Sequence, residues 1–248
     1  MEKIALQMYS LRTLPQDLMV KFEQVAAQGF DGVELAGYGD YTAAQIKAKL
    51  DAVGMVCAGS HTGYDALKKD LDTVIADHKL LGATSIVCPG FHPAEGEDFI
   101  AGWKRVAKEF TEIGKKVTDA GMWFGYHNHS FEFELKDGAR AEEILFDNTD
   151  PQYVKMQLDT CWVENAGCKA VDYMNKYPNA AKLLHIKELT AVGDPTAKPI
   201  GSGCIDFPAI VQLGKKLGVA WYTIEHEGEE GDILGDIKQG LDYLRGIT

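Results

Sequence analysis

The sequence predicts an α/β fold, a single closed (β/α)8 barrel occupying residues 1–248 as one domain. Short β-rich apolar runs alternate with helix-period stretches from end to end, and glycine recurs where a helix hands over to the next strand. No linker, low-complexity tract or shift in composition divides the chain, and 248 residues match the roughly 250 that such a barrel needs.

The strands are expected at 4–9 (IALQMY), 31–36 (DGVELA), 55–60 (MVCAGS), 83–88 (ATSIVC), 122–128 (MWFGYHN), 153–159 (YVKMQLD), 181–187 (AKLLHIK) and 219–226 (VAWYTIEH), so that their starts lie 24 to 39 residues apart. That spacing is the size of a βα unit. Between them lie amphipathic stretches, with Val20, Phe22, Val25 and Ala26 as the apolar stripe of the first helix. Leu67, Leu71, Val74, Ile75 and His78 form the stripe of the third. Gly29, Gly54, Gly82, Gly121 and Gly218 each follow a helix and precede a strand; glycine adopts the left-handed conformation there without a Cβ clash. A doubly wound dinucleotide-binding sheet is the competing α/β architecture. It requires a GxGxxG turn after strand one, where this chain has Tyr9-Ser10-Leu11-Arg12.

Hydrophobic residues make up 46% and charged residues 25% of the chain, an ordinary globular composition. Twenty-five basic against 37 acidic residues leave a net charge of −12, which argues against a nucleic-acid partner, since phosphate binding needs a basic face. The five cysteines are odd in number and form no CxxC, as expected of reduced thiols in a cytosolic protein. MEKIALQMYSLR carries no apolar stretch of signal-peptide length, and no run of 18 apolar residues occurs anywhere. The expectation is a cytoplasmic protein with no membrane partner.

In barrels of this kind the site is built where strands end. The ionisable residues placed there are Glu34, His61, His127, His129, Asp159, His185, Lys187, Glu225 and His226. A buried charge is costly unless it is paired or bound to a metal, so one such residue is unremarkable but six strands ending this way are not. Asp159, His185 and Glu225 come from three successive strands, which suits convergence on one divalent ion (Mn, Co, Zn, Fe or Mg). In an alternating strand, His127 and His129 face the same side, into the mouth. Glu132 or Glu134, in the loop beyond, would swing back as a fourth ligand. His78 reads as a structural residue on a helix, and Glu227, in the acidic run 227–230, lies close enough to strand eight to meet a substrate.

IALQMYSLR, GVELAG, YHNHSFEFE, QLDTCWVENAG, LLHIKEL, IGSGCIDF and YTIEHE together resemble the sugar phosphate isomerase/epimerase branch of the xylose isomerase-like TIM-barrel superfamily. The resemblance covers essentially the whole chain. It implies one divalent metal held by Asp159, His185 and Glu225, with Glu132 as the remaining carboxylate. The relatives place a glutamate on strand five, where this chain has His127. It also implies catalytic roles for His129, Lys187 and His127, and a substrate met by Glu34, His61, Trp162 and Glu227.

The implied chemistry is metal-dependent isomerisation or epimerisation of a keto-sugar or related polyol, by removal of the proton beside a carbonyl and stabilisation of the resulting enediolate. Expelling a β-substituent from the same intermediate would make the enzyme a lyase or dehydratase, and activating water a glycoside-cleaving hydrolase. The expected partners are a small sugar and a second copy of the chain in a homodimer.

Overall fold

The computed structural model describes residues 2–248. Eight parallel strands close on themselves in sequence order, each paired with the next and β8 with β1. They are β1 (Ile4–Gln7), β2 (Gly32–Leu35), β3 (Val56–His61), β4 (Ser85–Cys88), β5 (Trp123–His127), β6 (Val154–Asp159), β7 (Ala181–Ile186) and β8 (Trp221–Ile224). The helices are α1 (Leu18–Gln28), α2 (Ala43–Ala52), α3 (Tyr64–Lys69), α4 (Leu71–Leu81), α5 (Phe99–Asp119), α6 (Ala141–Asp147), α7 (Thr160–Asn165), α8 (Ala170–Lys176), α9 (Phe207–Leu217) and α10 (Ile233–Ile247). Parallel strands need a crossover to run the same way again, and the helices supply it. The expected barrel is therefore what the chain forms.

The five inter-element glycines all have positive φ, between 67° and 95°. The expected third helix, by contrast, is two helices. Asp70 ends α3 and caps α4, its Oδ1 accepting the Thr73 N–H at 3.1 Å. A short polar side chain that bonds its own backbone competes with helix continuation. In α1, Phe22 and Val25 are buried while Val20 is exposed, so the inward stripe is narrower than the pattern implies. His78 is buried, with Nδ1 2.7 Å from the Val74 carbonyl, as expected of a structural residue. Cys57, Cys88 and Cys161 are buried free thiols, while Cys168 is half-buried and Cys204 exposed.

The main core fills the layer between strands and helices. A second, smaller apolar cluster joins Ala5, Ala58, Val87, Leu183 and Trp221. Residues from five strands around a closed barrel can meet only in its lumen, so this cluster plugs the lower end. Gly32 makes room for it: a Cβ there would lie 2.6 Å from the Val56 carbonyl oxygen and 3.3 Å from the Trp221 ring. Above the plug the lumen turns polar.

Candidate active site

Every expected strand shifts at one boundary or more, and three of the shifts matter for the site. β5 ends at His127 and β8 at Ile224, and His61 is the last residue of β3 rather than the first beyond it. His129 therefore lies past the strand, where the alternation rule no longer sets its direction. Its backbone N–H is held instead by Glu132 Oε2 at 2.8 Å. His127 and His129 nevertheless both line the same cavity, with ring centroids 5.1 Å apart.

That cavity, about 710 Å³, opens at the C-terminal ends of the strands between Tyr9, Arg12, Ala36, Gly37, His61, Pro89, His127, His129, Trp162, Glu225, Glu227 and Glu229. At its floor, His127, Asp159, His185 and Glu225 each offer one ligand atom, all within 4.8 Å of one another and all buried. His185 Nδ1 stands 3.2 Å from Glu225 Oε2 and 4.0 Å from Asp159 Oδ2. His61 joins His127 and His185 in an overlapping group of three imidazoles.

Glu132, expected from the family resemblance as the fourth ligand, is elsewhere. Its Oε1 accepts the Tyr126 hydroxyl at 2.7 Å and its Oε2 the His129 N–H. The short 3-10 turn Phe131–Phe133 that follows β5 carries the side chain back under the loop rather than into the cluster. Burial pushes its carboxyl up to about 8 against the pull of those hydrogen bonds. His127, at the end of β5, occupies the fourth corner instead. Glu34, expected to meet substrate, is also withdrawn. It lies below the cavity and accepts from Gln7 Nε2 at 2.9 Å and Gln157 Nε2 at 2.7 Å. His61 and His185 approach the same carboxylate at 2.7 and 3.1 Å. Of the four expected substrate contacts, His61, Trp162 and Glu227 line the cavity and Glu34 does not.

The electrostatics follow from putting carboxylates and imidazoles in a dry place. Burial pushes the Glu34 carboxyl up, but His185 and His61 beside it outweigh that and hold it well below the usual range. Burial likewise opposes the charged forms of His185 and Glu225. Glu34 first and Glu225 with it still drive His185 up to about 10, and His185, with Lys187 and His61 adding to it, draws Glu225 down to about 2. Burial raises Asp159 to about 7, with Glu225 adding to the push and Lys187 and His185 resisting it. Burial lowers His129 to about 4, a direction reinforced by Lys187, His61 and His185 and opposed by Glu225.

Among the described residues, His127 Nδ1 and Asp159 Oδ2 are buried polar atoms without a hydrogen-bond partner. Unpartnered buried groups are rare in folded proteins. Two such atoms within a set of two carboxylates and two imidazoles fit a divalent ion chemically.

Supporting contacts hold the wall in shape. Asp159 Oδ1 caps α7 by accepting the Trp162 N–H at 2.8 Å, and its own N–H donates to Asn128 Oδ1 at 3.0 Å. Ser130 Oγ donates to the Trp162 carbonyl, and Asn165 bridges Ser130 to the Gly193 N–H. His226, a strand-end candidate, turns away from the cavity. It sits 3.3 Å from Asp236, and its N–H donates to Ser10 Oγ. Sequence reasoning passed over Gln7 and Gln157. Their signal was a lone amide among the inward positions of a strand run, IALQMY and VKMQLD.

The family model described as xylose isomerase-like TIM barrel matches residues 22–247. Among curated proteins, the inosose dehydratase of Clostridium beijerinckii is 27% identical over 161 residues, covering 57% of this chain and 51% of that protein. The chain thus aligns with about half the length of that relative. Among solved structures, a sugar phosphate isomerase/epimerase from Parabacteroides distasonis superposes with a TM-score of 0.84 at 27% identity, over 98% of this chain and 96% of its own. The 3-keto-D-glucoside 4-epimerase of E. coli superposes with a TM-score of 0.74, over 99% of this chain and all 100% of its own. Its 17% identity speaks to the fold alone.

Proposed function

The chain belongs to the xylose isomerase-like TIM barrel family, and from that premise and the site geometry we propose that it is a metal-dependent enzyme that removes the proton beside the carbonyl of a keto-sugar or keto-polyol. The observation that carries the reading is the convergence of His127, Asp159, His185 and Glu225 on one buried point directly beneath a sugar-sized cavity. These four residues would hold one divalent ion. Such an ion supplies electrophilic polarisation of a carbonyl oxygen and charge neutralisation for the oxyanion.

The remaining steps fall to the protein's own side chains. His129, kept neutral by its buried surroundings, has the form that accepts a proton from the substrate C–H. The electron pair moves onto the carbonyl oxygen and leaves an enediolate. Lys187 is buried and carries its charge, with Nζ 2.7 Å from Glu227 and 3.9 Å from the Trp162 ring centroid. A fixed ammonium at that distance from two wall residues stabilises negative charge as it develops. Trp162 offers the wall an aromatic face, and His61 and Glu227 offer polar contacts for hydroxyl groups.

Two outcomes branch from the enediolate. Returning the proton to carbon gives an epimer or isomer; expelling a β-hydroxyl as water, with the proton delivered to the leaving oxygen, gives a dehydrated product. The inosose dehydratase relative favours the second branch and the sugar phosphate isomerase/epimerase structure the first. Incubating a panel of keto-sugars and keto-inositols with the enzyme and Mn²⁺ in D₂O tests the common step. Deuterium should enter the carbon next to the carbonyl in recovered substrate or product. Turnover with no deuterium uptake across the panel would favour hydrolysis by activated water.

A further inference from the structure

We propose that Glu34 is a positioning residue: one buried carboxylate, outside the cavity, clamps the His61 and His185 rings together and turns Nδ1 of His185 toward Asp159 and Glu225. The inference deepens the metal-site reading above and rests on it for its affinity test alone.

Glu34 ends on β2 with its side chain in the lumen, 2% exposed. Its Oε1 is approached by Gln7 Nε2 at 2.9 Å, His61 Nε2 at 2.7 Å and His185 Nε2 at 3.1 Å. Its Oε2 takes Gln157 Nε2 at 2.7 Å and Thr223 Oγ1 at 3.5 Å. A carboxylate offers about four lone-pair positions, and hydrogen bonds from Gln7, Gln157, His185 and Thr223 occupy them, while His61 Nε2 lies between Glu34 Oε1 and Gln157 Oε1, 2.8 Å from the latter. No acceptor capacity remains for a substrate hydroxyl, and none of the cavity wall belongs to Glu34.

The two imidazoles on Oε1 are stacked, with centroids 5.2 Å apart and planes 11° from parallel. Rings brought side by side with no shared anchor would be free to turn about χ2, which is a broad torsion for histidine. With Nε2 of His185 committed to Glu34, only Nδ1 is left to face Glu225 at 3.2 Å and Asp159 at 4.0 Å. A carboxylate that fixes the far nitrogen of a ligating imidazole sets both ring orientation and ligand strength, and its loss typically costs about 10–100-fold in metal affinity.

The test compares wild type with Glu34→Gln and Glu34→Asp. Glutamine preserves volume but turns one acceptor into a donor facing other donors; aspartate preserves charge but withdraws the oxygens by one methylene. Titration calorimetry with Mn²⁺ and with Co²⁺ should show affinity reduced about 10–100-fold in both variants. Circular dichroism checks that each is folded, and aspartate carries the reading if the glutamine variant is not. Affinity within about threefold of wild type in a folded variant overturns the proposal, as does an aspartate variant that binds normally while glutamine fails, because charge alone would then suffice. If wild type binds neither ion, the metal reading of the site falls, and that failure is visible in the wild-type arm alone. The clamp is then decided by crystal structures of the folded variants. Loss of the parallel His61–His185 stack supports it, and rings left unmoved refute it.

Discussion

The ammonium of Lys187 lies over the face of Trp162, with Nζ 3.9 Å from the ring centroid. Both residues follow the ends of neighbouring strands, β6 and β7, and Glu227 from beyond β8 closes the group at 2.7 Å. Burial works against the charged lysine, but Asp159, Glu225 and Glu227 prevail and raise it above its ordinary value. A permanent positive charge is therefore held beside the cavity. Lys187→Met keeps much of the stem and deletes that charge. It should lower kcat/KM on the substrate identified by deuterium exchange by about 10²–10³-fold, the usual cost of one oxyanion-stabilising group, with metal content unchanged. A loss smaller than about tenfold would reduce the lysine to wall packing.

On the proposed function, proton abstraction falls to His129, whose backbone is pinned by Glu132 and whose ring lines the cavity. His129→Asn should keep its metal and lose about 10²–10⁴-fold in the rate of solvent-deuterium incorporation, as expected for removal of a general base. His127→Asn should instead lose metal first and exchange as a consequence. Wild-type exchange in the His129 variant would move the base to another residue of the wall.

The ligand set is separable from the loop carboxylate. Asp159→Asn, Glu225→Gln and His127→Asn should each purify with little bound metal by elemental analysis. Glu132→Gln should retain it, because Glu132 is engaged by Tyr126 and His129 rather than by the cluster. Metal lost from the Glu132 variant and kept in the His127 variant would restore the loop glutamate as the fourth ligand.

Glu142 in α6 is a buried carboxyl with no hydrogen-bond partner among the described residues. Burial, with Glu132 nearby, raises it well above its ordinary value of 4.5. A carboxyl whose folded pKa exceeds its unfolded one favours the native state fully below about pH 4.5, and that benefit is lost as pH rises through the folded pKa. Glu142→Gln mimics the protonated form. It should therefore raise Tm relative to wild type at pH 8.5, by about 2–4 °C for each kcal/mol relieved, and the gap should shrink toward pH 5. Thermal melts at the two pH values decide it, and a gap that widens on acidification would contradict the sign.

The barrel was readable in the chain because it rests on local rules. Periodicity, helix length and glycine after five of the helices are properties of neighbouring residues, and all eight strands fall where the apolar runs lie. Boundaries moved by one or two residues where the chain leaves the ladder, and the third helix split at Asp70, where a side-chain cap competes with the backbone pattern. That Asp159, His185 and Glu225 lie together was also readable, because barrel strands deliver their ends to one face.

What the linear pattern could not decide is which of several correctly placed side chains reach the centre. Glu132 and His127 are both near the end of β5, and the family resemblance favours the carboxylate. Only the 3-10 turn at Phe131–Phe133, which lays Glu132 against Tyr126 and His129, gives the corner to His127. Glu34 reads as a strand-end charge aimed at substrate, yet polar groups from five other strands surround it beneath the cavity floor. The sequence by itself determined the barrel and the face that carries the site, since those follow from short-range periodicity. The tertiary structure alone decided which polar atoms are already satisfied and which are left for a ligand, because hydrogen-bond partners 27 to 189 residues apart meet only when the barrel closes.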